Sequence, residues 1–403
     1  MSKRKKWLFK SFGFLLFAVL LLPLVACGSS TNQNQAGDWK LGIMATSPEM
    51  IAENPFTQAG SDGQAYFMAK QMQAEFGEEH IIIVSPPNRY MAEQETTMNL
   101  VTEMAEDPAV KAIIIAPGIP GTYLAISTAR EIRPDLLFIV GSPGETQQSI
   151  AHISDIALAT DYSGRVPKII ENARAMGAET IVHYTRPASW VSPDSVEALK
   201  LNAEAQGLQF VEVTTPASGS VDSPERTPQA HDRLYTEIQS FVSEDVPKKI
   251  ADYGPSTAII GNGFFMLEAM LTQTMEHGGI FPAQTHDTGF GYSYWLPEAL
   301  GIEVPENKQA EIPWIHQEVN QLVLENGWGG RIATWPIPPN MLFVQAGTYY
   351  AIDWIDGKIE DRNNKAALLN IMEEISGVPV GLSEYPGTDN YYLYLSEPII
   401  FGR

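Results

Sequence analysis

Tyr184, Arg186 and Trp190 stand close together in a chain that holds 26 basic residues against 48 acidic ones. A guanidinium can fork onto a carboxylate or phosphate while a neighbouring ring stacks on a flat group. Thr46 and Ser47, Asn88 and Tyr90, the Pro117-Gly118 pair, Ser142 and Asp161 each follow an apolar run, as do Asn262 and Phe264 further on. Polar and aromatic groups so placed hold small polar molecules by a few directed hydrogen bonds. Trp335 and Asn340 flank a stiff Pro336-Ile-Pro-Pro339 segment. Each position also has a plainer reading. Thr46, Ser47 and Asp161 could cap the segments that follow. Asn88 and Pro117-Gly118 could simply turn the chain. Glu145 could be only solvated, His183 a core histidine, and Trp335 packing at a hinge. The aromatic run Phe290 to Trp295 reads first as lobe core and second as a ligand wall.

Motifs for covalent chemistry are missing from the chain. It has no Gly-x-x-x-x-Gly-Lys-Ser/Thr loop, no His-Glu-x-x-His and no Gly-x-Ser-x-Gly elbow. Gly261-Asn262-Gly263 lacks the third glycine of a dinucleotide fingerprint and reads as a tight turn. None of the seven histidines forms an i,i+4 pair, and Cys27 is the single cysteine. No cofactor, metal site or intrachain disulfide is expected, and no enzyme activity.

The elements that must position these residues alternate regularly. Strands are predicted at 40–46, 80–85, 112–117, 136–142, 156–161, 180–185, 209–215 and 257–261. Helices are predicted near 62–76, 91–106, 121–133, 163–176, 193–206, 229–252 and 263–276. The strands are continuous apolar runs, as expected when both faces of a parallel sheet are covered. Helices near 306–326, 340–357 and 365–376 and a closing strand within 390–401 complete the chain. The fold class is α/β, with two doubly wound parallel-sheet lobes joined by a multi-strand hinge. The first lobe is expected to take 39–158 plus about 285–360, and the second 159–284 plus about 361–403. Apolar residues make up 44% and charged residues 18%, a globular composition.

The first 26 residues differ from the rest. Lys3 to Lys6 precede an uncharged run, Ser11 to Ala26, that ends Leu24-Val25-Ala26-Cys27. This resembles a bacterial lipobox, so 1–26 is expected to be a signal peptide and Cys27 the lipidated N-terminus. Residues 27–38 lack core-forming side chains and read as a flexible tether. A net charge of −22, with five cations inside the signal, leaves a body that repels nucleic acid and anionic lipid. The membrane contact expected is through the lipid alone, on the extracytoplasmic face.

Several stretches carry a family resemblance: Lys40-Leu-Gly-Ile-Met, Glu93-Gln-Glu-Thr-Thr97, Asp107-Pro-Ala-Val-Lys-Ala112, His183-Tyr-Thr-Arg-Pro187, Glu244-Asp-Val-Pro247 and Ala333-Thr-Trp-Pro336. Over residues 39–357 the chain resembles type I periplasmic (solute) binding proteins. Within them it resembles a lipoprotein family known as a domain of unknown function. Residues 186–191 are less polar and less basic than that pattern. The resemblance implies capture of a small-molecule ligand for an ABC permease by a monomer. A receptor feeding a membrane sensor and a surface enzyme on the same fold are the alternatives.

Overall fold

In β3 (Val110–Ile115), Ile113 and Ile115 join one apolar cluster while Ala112 and Ile114 join another. Both faces of the strand are therefore covered, which is why its apolar run does not alternate. The computed structural model describes residues 39–48, 63–185, 193–216, 228–285 and 296–403. The expected signal, Cys27 and the tether lie outside the described residues. So do Arg186, Trp190 and the Phe290–Trp295 run.

The first sheet has seven strands. β1 (Lys40–Met44), β2 (Ile81–Val84), β3, β4 (Leu137–Gly141) and β5 (Ile156–Thr160) run parallel. β11 (Tyr391–Ser396) pairs parallel with β5, and β10 (Val380–Glu384) folds back antiparallel on β11. Its order is β10-β11-β5-β4-β3-β1-β2. Helices α1 (Gln64–Phe76), α2 (Gln94–Glu106), α3 (Thr122–Ile132) and α4 (Gln147–Ile153) connect its strands. Ile113, Ile114 and Ile115 are each wholly buried, a contribution of roughly 1.5–3 kcal/mol per side chain.

The second sheet is parallel in the order β7-β6-β8: β6 (Thr180–Thr185), β7 (Gln209–Thr214) and β8 (Thr257–Gly261). Single bridges extend it. Ile280 bridges to Ala258 and Phe281 to Ile332, and β9 (Ala333–Thr334) then pairs antiparallel with β12 (Ile399–Ile400). Its helices are α5 (Tyr162–Ala175), α6 (Pro193–Ala205), α7 (Pro228–Tyr253), α8 (Phe264–Glu276), the short α9 (Leu296–Ala299) and α10 (Ile312–Glu325).

The chain passes between the sheets at three places. β5 leads into α5, whose Val166, Ile169 and Ile170 pack with Ile181 of the second sheet. β9 leads into α11 (Pro339–Ile355), where Phe343 abuts Gly141 of β4 so closely that a Cβ there would lie 2.8 Å from it. β11 leads into β12. These crossings differ from the expected lobe boundaries. Residues 296–334 pack with the second sheet, not the first, and α12 (Lys365–Ser376), β10 and β11 belong with the first sheet, not the second. Which sheet edge accepts a late strand depends on pairing across more than 200 residues of sequence, which no local pattern encodes.

Candidate functional site

In parallel sheets of this kind ligands sit beyond the carboxyl ends of the strands. Two contacts place one crossing at those ends. The Trp335 indole N–H donates to the Gln284 carbonyl at 2.9 Å, and the Gln284 side chain accepts from Gly261 N at the end of β8 at 3.0 Å. A few residues on, Phe343 meets Gly141 at the end of β4. One crossing therefore joins the carboxyl end of one sheet to that of the other.

Thr46 follows β1, is 1% exposed, and its Oγ1 has no hydrogen-bond partner. Ser47 and Asn88 are half-buried at the ends of β1 and β2. Ser142, just past β4, has φ +47°, the one non-glycine residue at positive φ among the described residues. That left-handed backbone is disfavoured for a side chain with a Cβ. The Asn340 Oδ1 at the start of α11 is likewise buried without a hydrogen bond. Asn262 is buried at the end of β8, its N–H donating to the Tyr184 carbonyl at 3.2 Å. Phe264 opens α8.

Other positions are engaged within the fold. Tyr90 packs with Val101 and Met104 in the first lobe's apolar core, and burial pushes its hydroxyl pKa up. Pro117 is buried, and the Gly118 N–H that could have met a ligand donates to Gly141 O at 2.8 Å. Asp161 caps α5, its Oδ1 accepting from Gly164 N at 2.8 Å. The Tyr184 hydroxyl donates to Asp245 Oδ2 of α7 at 3.0 Å, beneath the sheet. Burial, then the Asp245 carboxylate, push its pKa well above the usual tyrosine value. Glu145 caps the start of α3, accepting from Gly121 N and Tyr123 N. His183 is wholly buried beside Phe210, with neither ring nitrogen hydrogen-bonded, and burial pushes its pKa down to about 4.

At the crossings the structure gathers residues far apart in sequence. Arg165, 1% exposed in the first turn of α5, lays its guanidinium 4.2 Å from the ring centroid of Trp335, which is 2% exposed. Tyr162 contributes a second ring at 5.8 Å. Arg165 and Gln284 were not among the candidates. The signal for Arg165 is its place in the apolar periodicity Arg165, Val166, Ile169, Ile170, Ala173, all buried on one helix face. Gln284 leaves no such signal.

A groove of about 570 Å³ also opens between α1, α11 and α12, lined by Phe76, Tyr349, Ile352, Ile371 and Ile375. It runs along the outer helices of the first sheet, from Gln345 near the start of α11 to Phe76 at the end of α1. Among the described residues no three His, Cys, Asp or Glu side chains cluster as metal ligands. No described helix is long and apolar enough to cross a membrane.

This architecture, two parallel-sheet lobes with three crossings, is that of the type I periplasmic binding protein-like fold. A structure described as a putative transcriptional regulator from Clostridium difficile 630 superposes with a TM-score of 0.74 at 21% identity, covering 90% of this chain and 99% of that one. Two uncharacterized proteins of Treponema pallidum (strain Nichols) are similar in sequence. One is 30% identical over 173 residues, 41% of this chain and 75% of the relative. The other is 26% identical over 211 residues, 50% of this chain and 87% of the relative. The sequence pattern of one family, described as a protein of unknown function (DUF3798), matches residues 56–333, and the chain belongs to that family.

Proposed function

We propose that the protein captures a small polar ligand between its two lobes, at the outer face of a membrane to which Cys27 tethers it by lipid, and delivers it to an ABC permease. The observation that carries this reading is the Trp335–Phe343 crossing, which ties the carboxyl end of β8 to that of β4. At the carboxyl end of the first sheet stand a buried hydroxyl and, where the crossing enters α11, a buried carboxamide oxygen, both without hydrogen bonds, at Thr46 and Asn340. Unmet polar groups cost free energy unless something supplies their partners, and a bound ligand would. Ligand contacts to both lobes favour a closed arrangement by differential affinity. Cys27, Arg186 and Trp190 belong to this proposal on sequence grounds.

Native mass spectrometry of the full chain, before and after denaturing release, tests the reading. A small mass released on denaturation supports capture. If no mass is released, and no sugar, nucleoside, amino acid or vitamin raises the melting temperature, the reading fails. A ligand at about 100 times its Kd adds about 2.7 kcal/mol.

A further inference from the structure

The three crossings are tied down in different ways, the first two by a buried stack and the third by a partly exposed ion pair. The first enters α5 at Tyr162, and Arg165 lies one turn later. The second passes through Trp335, buried in the second lobe's core with Ile260, Ala283 and Ala333. The Arg165 guanidinium covers the Trp335 ring, joining the first crossing to the second. Trp335 is held in turn by its indole N–H on Gln284 O. Gln284 is knitted to the sheet by Ile259 O, Pro282 O and Gly261 N. The next residue, Pro336, accepts a hydrogen bond from His316 of α10, in the same lobe. The third crossing, Glu397-Pro398, lies half-buried; Glu397 N donates to Pro379 O on the first-lobe side, and the Glu397 carboxylate meets Lys168 of α5 at 2.6 Å in a partly exposed ion pair.

We infer that Arg165 is a positioning residue: its stack on Trp335 clamps the first two crossings to the second lobe, so that the lobes move as two bodies about one axis. This rests on the two-lobe trap proposed above. A planar cation over an indole resists sliding apart, and in a buried place no water competes for either partner. Without the stack, the first two crossings would bend independently, and the spread of lobe arrangements would widen.

Spin labels test this on the full chain without a ligand. With Cys27→Ser removing the native thiol, labels go on Glu95→Cys in the first lobe and Lys200→Cys in the second, both exposed. A control pair, Glu95→Cys with Glu360→Cys, lies within the first lobe. Arg165→Leu is expected to widen the interlobe distance distribution about two-fold, with the control pair unchanged. Arg165→Lys, which keeps the charge but not the planar face, falls between. A folded Arg165→Leu protein with the wild-type interlobe width overturns the inference. If that variant does not fold, Arg165→Met keeps the apolar length of the side chain but has no planar cation, and it must show the widening instead. Loosened lobes in a chain that releases no ligand would keep the clamp and sink the trap; the converse would do the reverse.

Discussion

The two ends of the first sheet are built on opposite terms. At the amino-terminal end, Asp155 accepts from Arg130 at 2.9 Å, from Arg362 at 2.7 and 3.0 Å, and from Phe138 N at 2.7 Å. Arg130 and Arg362 use further N–H groups on the carbonyls of Ile153, Asp135 and Leu136, and lie over the rings of Phe138 and Trp354. Nearby, Arg133 pairs with Asp135, whose pKa it pulls down to about 2, and Lys40 pairs with Asp107. The carboxyl-terminal end instead carries an unbonded buried hydroxyl at Thr46, an unbonded carboxamide oxygen at Asn340 and a disfavoured backbone at Ser142. Local rules are kept at the amino-terminal end of this sheet and broken at the carboxyl-terminal end, where the proposed ligand site lies.

Asp155→Ala would strain this contrast most. It strips one carboxylate from two arginines that are only partly solvated, and a loss of about 3–4 kcal/mol is expected in urea unfolding. A loss below about 1 kcal/mol would mean the amino-terminal end is not the stabilising one.

Acid probes the unmet polarity that lies away from the carboxyl-terminal end, at His183 in the middle of β6. The unfolded chain protonates its histidines near pH 6.5, whereas burial holds folded His183 and His316 unprotonated down to about 4. Stability is therefore full above pH 6.5, falls as the pH drops toward 4, and loses nothing more from these groups below that. Each histidine accounts for about 3 kcal/mol across this window. His183→Leu should remove its share of the acid loss, read as a flatter plot of unfolding free energy against pH; an unaltered slope would place the loss elsewhere.

Smaller effects fall at the carboxyl-terminal end itself, with a sign opposite to most core changes. Thr46→Val deletes an unsatisfied hydroxyl and is expected to add about 1 kcal/mol while weakening retention of any ligand in native mass spectrometry. Destabilisation would show that the hydroxyl has a partner in the folded protein. Ser142→Gly relieves the left-handed backbone and is expected to gain up to about 0.5–1 kcal/mol, offset in part by glycine's greater freedom when unfolded. A lower melting temperature would show that no strain is stored there.

The elements were legible in the sequence, the candidate site much less so. Strand runs such as 180–185 and 257–261 and the helix 365–376 match the structure residue for residue. The short α4 and the exposed edge strand β10 escaped notice, the first for its length and the second for its weak apolar signal. Position after a strand marked Thr46 and Ser142, which carry an unbonded hydroxyl and a left-handed backbone, and equally marked Pro117, Asp161 and Tyr184, whose polar groups or neighbours are already engaged.

What the sequence determined by itself is what short range suffices to write: buried parallel strands as unbroken apolar runs, helices as apolar stripes, and a resemblance spread over most of the body. Only the tertiary structure decided that β11 would join β5, that Tyr184 would turn toward Asp245, and that Arg165 would cover Trp335. These depend on pairings and on side-chain directions between segments up to a few hundred residues apart, where many alternatives share one local pattern and only packing of the whole chain selects among them.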